Sequence, residues 1–469
     1  MDTLLPDFSP AAFESGQPID NQYFPRTPGT VLSYEGEVDD TTTESNQVFV
    51  TYDTKEISGV ETTVVRDVSW SEGVLVEDTL DWYAQDQAGN VWYLGEFATN
   101  YEYDDQGNFI GTNTDGSWEA GVDGAQPGYQ IAASLQVGDN YYQEFYQGEA
   151  EDQGEIVSTN ESVSIDLGDY DHVLKTRDFT LLEPDTFEYK YYAPGVGQIL
   201  ADEGVTEVGG KPELSPELVD ISEIPKINLP NFSTANFENS TVINNPYFSL
   251  TPGTLSTYEG EEVNPYTGET ETETTETETN KVLVTDKTEN ILGVESVVVQ
   301  SQEFVDDVLT EDKLSYYAQD QEGNVWLLGE DVSEYEYDDQ GKVTKTNESD
   351  SWRAGEDQSL PGLIMDGNPK AGEGYYQRFD IGEAEIQSSI VSLDAAKDDF
   401  GQYDDILQVK EFSSLQSNGF DYLYYAPGVG QIGTEELNAN GDLISDSSLV
   451  SVENVDYFDL GEQNSANLV

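Results

Sequence analysis

Leu5-Pro6-Asp7-Phe8-Ser9 returns 224 residues later as Leu229-Pro230-Asn231-Phe232-Ser233, and the correspondence then continues almost to the end of the chain. At the same offset Thr27-Pro28-Gly29-Thr30 matches Thr251-Pro252-Gly253-Thr254. The second copy then gains a net ten residues around the Thr/Glu tract from Gly268 to Asn280. Beyond that tract, Tyr83-Ala84-Gln85-Asp86-Gln87 recurs as Tyr317-Ala318-Gln319-Asp320-Gln321, and Tyr101–Gly107 recurs unchanged as Tyr335–Gly341. Near the end Tyr191–Ile199 repeats in full at Tyr424–Ile432. A period above 200 residues far exceeds the roughly 20–50 of solenoid repeats, so each copy is a whole domain. The expected organisation is a first domain over 1–205, a Pro- and Glu-rich linker over 206–228, a second domain over 229–435 and a frayed tail over 436–469.

Within each copy, runs such as Gln47–Tyr52, Val60–Val68 and Leu80–Tyr83 alternate apolar and polar residues between Gly, Asp and Asn punctuation. Period-2 alternation marks half-buried strands, and the intervening segments Asp86–Asn90 and Asp104–Asn108 read as hairpin turns. Helical windows are confined to Pro10–Phe13 and Ser215–Ser222, one or two turns each. The fold class is therefore all-β: two tandem homologous antiparallel domains, each a barrel, half-barrel or sandwich, with few short helices.

The 95 acidic residues face 18 basic ones, a net charge of −77. Such a field repels nucleic-acid phosphates and anionic membrane surfaces. It also opposes compaction, a cost that high salt or divalent cations would relieve. The 29 Tyr, 18 Phe and 6 Trp supply the apolar mass that a disordered acidic chain lacks. With no Cys, disulfides and thiolate chemistry are excluded, and the single His172 has Asp405 as its counterpart, so the copies share no His-dependent mechanism. No stretch approaches the roughly 20 apolar residues of a membrane span. The opening Met1–Pro6 lacks the basic and apolar regions of a secretory signal.

Four motifs together, Asn21-x-Tyr23-Phe24-Pro25-x-x-Pro28-Gly29-Thr30, Asp81–Tyr93, Ser117–Gly121 and Tyr191–Gly197, resemble a family of uncharacterised bacterial exported or lipoprotein-like β domains. The resemblance covers Ile19 to Ile199 and most of the second copy, which departs from it at Tyr316 (for Trp82) and Arg353 (for Glu119). It implies an extracellular or cell-envelope setting and no particular activity.

Two sets of residues are candidates for binding. Asp86, Asn90, Asp104 and Asp105, with Asp320, Asn324, Asp338 and Asp339, cluster oxygen donors around Gly turns as calcium requires. They lack EF-hand spacing, Asn108 becomes Lys342, and the same residues serve equally as ordinary turn formers. Glu149 and Glu151, repeated as Glu383 and Glu385, would share a strand face and could chelate a cation or act as a carboxylate pair near Trp118 and Trp352, which could stack on a sugar. A solvated strand face accounts for the same pattern. No nucleophile elbow, phosphate loop or zinc motif is present. The expectation is a non-enzymatic exported protein with a binding or structural role and calcium as its cofactor. The competing expectations are a carbohydrate-binding or carbohydrate-active protein and a carrier of a small apolar ligand; partners would be divalent cations, polysaccharide or further copies of itself.

Overall fold

The computed structural model describes residues 3–37, 42–104, 106–224, 226, 229–262, 277–338, 340–380, 384–397, 400, 402–413, 415 and 419–455. The chain divides into two compact units, Met1–Lys226 and Ile227–Val469. Both are all-β; the helical elements among the described residues are single 3-10 turns, including Pro10–Ala12 and Phe232–Thr234.

The first unit runs β1 (Thr30–Glu37), β2 (Thr43–Ile57), β3 (Val60–Ser71), β4 (Val74–Gln85), β5 (Val91–Tyr103), β6 (Phe109–Asn113), β7 (Trp118–Glu119), β8 (Gln126–Ile131), β9 (Asn140–Tyr142), β10 (Glu144–Phe145), β11 (Asp152–Ile165), β12 (Gly168–Thr180), β13 (Phe187–Ala193), β14 (Gly197–Val205) and β15 (Glu217–Glu223). Consecutive strands pair antiparallel from β1 to β6 and from β11 to β15, and β15 returns to pair with β1. One edge of β5 takes β8 at Val91–Tyr93, then β7 and β6 farther along. The segment 140–145 closes the ring, since β9 pairs with β11 and β10 with β8. The result is an up-and-down barrel, the arrangement that removes free sheet edges.

The second unit repeats this order with β16 (Thr254–Glu262), β17 (Thr277–Ile291), β18 (Val294–Val305), β19 (Val308–Gln319), β20 (Val325–Tyr337), β21 (Val343–Asn347), β22 (Trp352–Arg353), β23 (Leu360–Met365), β24 (Gly374–Asp380), β25 (Ala384–Ser392), β26 (Leu407–Ser413), β27 (Gly419–Ala426), β28 (Gly430–Asn438) and β29 (Leu443–Asn454). Here β24 is unbroken and pairs with both β23 and β25, and β19 pairs with β20. Register shifts fall at equivalent positions, as at Val50/Thr54 and Val284/Thr288, or Asp81/Tyr83 and Ser315/Tyr317. Such bulges add the local twist that lets a sheet curl shut.

The seam depends on glycine. A Cβ on Gly128 would sit 2.1 Å from the Tyr142 carbonyl oxygen, and one on Gly362 would sit 2.3 Å from the Gln377 carbonyl. Two backbones meet there with no room for a side chain.

Two sequence expectations change. Residues 206–228 are no free linker: Glu217–Glu223 is a strand, not the short helix expected over Ser215–Ser222. Without it β1 would present an open edge, and Leu218, fully buried, would lose its place in the core. Likewise the expected tail supplies β29, which pairs with β16 and β28. Local polarity disguised both strands, because only one residue in two faces inward.

Candidate functional site

The segment before β1 plugs one end of each barrel, and the repeated motifs hold it there. Phe8 and Phe13 pack edge-on against Trp92 with centroids 5.4 and 5.9 Å away; Phe232 and Phe237 do the same to Trp326 at 5.4 and 6.0 Å. The Gln85 side-chain oxygen accepts from the backbone N–H groups of Asp20 and Asn21, as that of Gln319 does from Asn244 and Asn245. Gly195 N–H donates to the Gln22 carbonyl, and Gly428 N–H to that of Pro246. The Tyr-Ala-Gln-Asp-Gln and Tyr-Tyr-Ala-Pro-Gly-Val-Gly motifs thus serve as clamps for the plug.

Beneath the plug of the first barrel lies a cavity of about 510 Å³ that reaches from Phe24 and Tyr83 to Glu44 and Glu77. Strands β2, β3, β4 and β13 all contribute to its lining, with Asp67 from β3, Asp81 from β4 and Lys190 from β13. Its wall is strongly acidic. Burial first, then the neighbouring charge of Asp81, pushes Asp67 up to about 7. Burial and then Glu96 push Asp81 up to about 8. Glu96 rises to about 7 and Glu203 to about 7, each chiefly through burial. Tyr93 Oη lies 2.6 Å from Asp81 Oδ1 and 2.9 Å from Glu96 Oε2, so its hydroxyl donates to one carboxylate and accepts from the other when that one is protonated. Two cations oppose this charge. Burial works against Lys190, but Glu188 and Asp178 outweigh it and hold its pKa well above the ordinary value; its Nζ is 3.4 Å from Asp178 Oδ2. Arg26, 7% exposed, lies 3.6 Å over the Phe24 ring.

The second barrel holds a cavity of about 520 Å³ at the equivalent place, with Phe248, Glu311, Tyr317 and Gln431 standing where the first has Phe24, Glu77, Tyr83 and Gln198. Its charges are rearranged. Leu250, Ser301, Ser315 and Leu423 replace Arg26, Asp67, Asp81 and Lys190, while Lys313 and Arg378 replace Thr79 and Glu144. Lys313 Nζ is 3.7 Å from Glu311 and 3.9 Å from Glu330. Burial, then Asp421, pushes Glu411 up to about 7.

The residues singled out from sequence lie elsewhere. Asp86 Oδ1 accepts from the N–H groups of Ala88 and Asn90, and its Oδ2 accepts from Asn90 Nδ2 and Trp92 Nε1 at 2.7 and 2.9 Å. Asp320 binds Asn324 and Trp326 in the same way. Asp104 accepts from Gln106 and Asn108, whose side chain is the main cause of its lowered pKa, and Asp338 accepts from Gln340 and Lys342. These carboxylates are committed to N–H donors of their own loops, and among the described residues no three His, Cys, Asp or Glu side chains converge as a metal site. Asp105, Asp339 and Glu383 lie outside the described residues. Glu149 sits in an exposed turn and Glu151 just before β11, accepting from Gly148 N–H, so they do not share a strand face. Glu385, on β25, is buried. Trp118 and Trp352 are 5% and 6% exposed, and Trp118 packs edge-on against Tyr93; neither offers a free ring face to a sugar.

Sequence reasoning missed the lumen residues because Asp67, Asp81 and Lys190 belong to distant strands and carry no local motif. The available signal was an acid within an otherwise apolar stretch, as in Leu80-Asp81-Trp82-Tyr83.

Fold and site together define a pair of up-and-down β-barrels with polar, charged interiors. Neither a protein-family model nor a curated protein matches the chain. Among solved structures it is similar to a proposed exported protein with YMCC-like fold from Bacteroides fragilis, at 13% identity and TM-score 0.23, over 44% of this chain and 98% of that one. It is also similar to a proposed lipoprotein from Parabacteroides distasonis, at 12% identity and TM-score 0.21, with the same coverage. Among the described residues no helix is long and apolar enough to cross a membrane.

Proposed function

We propose that this is an exported binding protein whose two barrels each receive a small, polar, positively charged ligand in an acidic lumen. The observation that carries this is the crowd of carboxylates around the first cavity, where burial first and neighbouring carboxylates second push Asp67 up to about 7 and Asp81 up to about 8. A cation entering there would replace those protons and gain from the low dielectric of the wall. The volume suits the roughly 300–1,000 Å³ of small-molecule sites. An apolar guest would leave the same carboxylates desolvated and unpaired, which disfavours the lipid-carrier alternative. The exported setting rests on the family resemblance of the repeated motifs.

A thermal-shift panel at pH 8 tests this proposal with a diamine (cadaverine), calcium, neutral monosaccharides and a fatty acid. Stabilisation by the diamine is expected. Stabilisation by the sugars or the fatty acid, with none from the diamine, would overturn it; stabilisation by calcium alone would favour the metal-binding alternative.

A further inference from the structure

Arg26 is a buried cation with an unsatisfied Nε. One of its terminal nitrogens donates to the Pro25 carbonyl at 3.1 Å, its face lies on Phe24, and its Nε finds no acceptor. No ion pair to it is present among the described residues, although it lines the same cavity as Asp67 and Asp81. That Nε is shut off from solvent, but the guanidinium as a whole lines the cavity and carries a charge that a carboxylate there would pair. This guanidinium is over nine-tenths buried without an ion pair, and the second barrel does without it by placing Leu250 at that position.

We infer that the lumen of the first barrel takes a small amphoteric molecule of the basic amino-acid class, its carboxylate toward the Arg26 guanidinium and its ammonium groups between Asp67, Asp81 and the acids beyond them. The inference rests on the container reading and goes past it by demanding an anionic group on the ligand. The excess of acids over the two cations calls for a ligand with more than one ammonium. In the second barrel Arg26, Asp67 and Asp81 are all replaced, so this recognition belongs to the first barrel alone.

The test is calorimetric titration of the full chain at pH 8.5 with three probes: L-lysine, cadaverine (lysine without its carboxylate) and hexanoate (a carboxylate without ammonium). The expected result is one L-lysine bound per chain and no binding of hexanoate. Arg26→Leu, the residue the second copy carries there, should weaken L-lysine by roughly ten-fold or more, as loss of a charge-assisted pair implies. The same variant should leave cadaverine unchanged or bound more tightly. Asp81→Asn should weaken L-lysine and cadaverine alike, and circular dichroism confirms that both variants fold. Should cadaverine match L-lysine in the wild type, or L-lysine ignore Arg26→Leu, the inference falls and the container stands. Should none of the probes bind, both fall. If Arg26→Leu fails to fold, Arg26→Lys takes its place: it keeps the charge without the fork and should still weaken L-lysine more than cadaverine.

Discussion

Raising the pH from 5 to 7 should destabilise this protein, although it is built from carboxylates. Asp81 has an ordinary pKa of 3.8 and is pushed up to about 8 in the folded barrel, by burial first and by Glu96 second. Between those values the folded chain holds a proton that the unfolded chain has released. Stability from this group is complete below the unfolded value and is lost as pH rises through the folded one. One extra bound proton is worth about 1.4 kcal/mol per pH unit, so two units remove about 3 kcal/mol. For a unit of this size that is roughly 6–12 °C in Tm. Surface repulsion grows over the same range, so the melts belong in 1 M salt, where the Debye length is about 3 Å. The comparison is with Asp81→Asn, which keeps an acceptor for the Tyr93 hydroxyl but cannot ionise. The wild type should lose Tm steeply between pH 5 and 7, and the variant should follow a slope shallower by one proton. A wild-type Tm that climbs over this range, or identical slopes for the two proteins, refutes the reasoning.

Asp86→Ala should cost about 3 kcal/mol in denaturant unfolding, because it strands the buried Trp92 indole N–H and two turn amides; Asp320→Ala should act likewise through Trp326. Since both carboxylates are already engaged by N–H donors, a chelator should leave the wild-type melt unmoved at these loops, and a clear loss of Tm on chelation would contradict that geometry. Gly128→Ala and Gly362→Ala should each cost about 3 kcal/mol or more by forcing the seam apart, seen as faster amide exchange in β8 and β23. Arg66 holds Asp78 through two hydrogen bonds of 2.9 and 2.8 Å, both residues nearly fully buried, so Arg66→Ala should cost about 3–5 kcal/mol in chemical denaturation. Arg66→Gln should cost less, since Gln300 reaches Asp312 at the equivalent place in the second barrel.

The strand-rich class and its antiparallel hairpins were legible because they follow from short-range facts: alternation of period two, turn residues between runs, and a pattern written twice. What the alternation did not reveal was which face points into a lumen and which outward, since both carry acids; Asp67 and Asp78 look equivalent in sequence, yet one lines the cavity and the other pairs with Arg66. Nor could local polarity show that Glu217–Glu223 and Leu443–Asn454 are closing strands, because a strand at a barrel's seam is defined by the edge awaiting it. The sequence by itself determined a duplicated antiparallel meander and its turns. Tertiary structure decided the closure and the enclosed charge, since both depend on residues far apart in the chain meeting across one cavity.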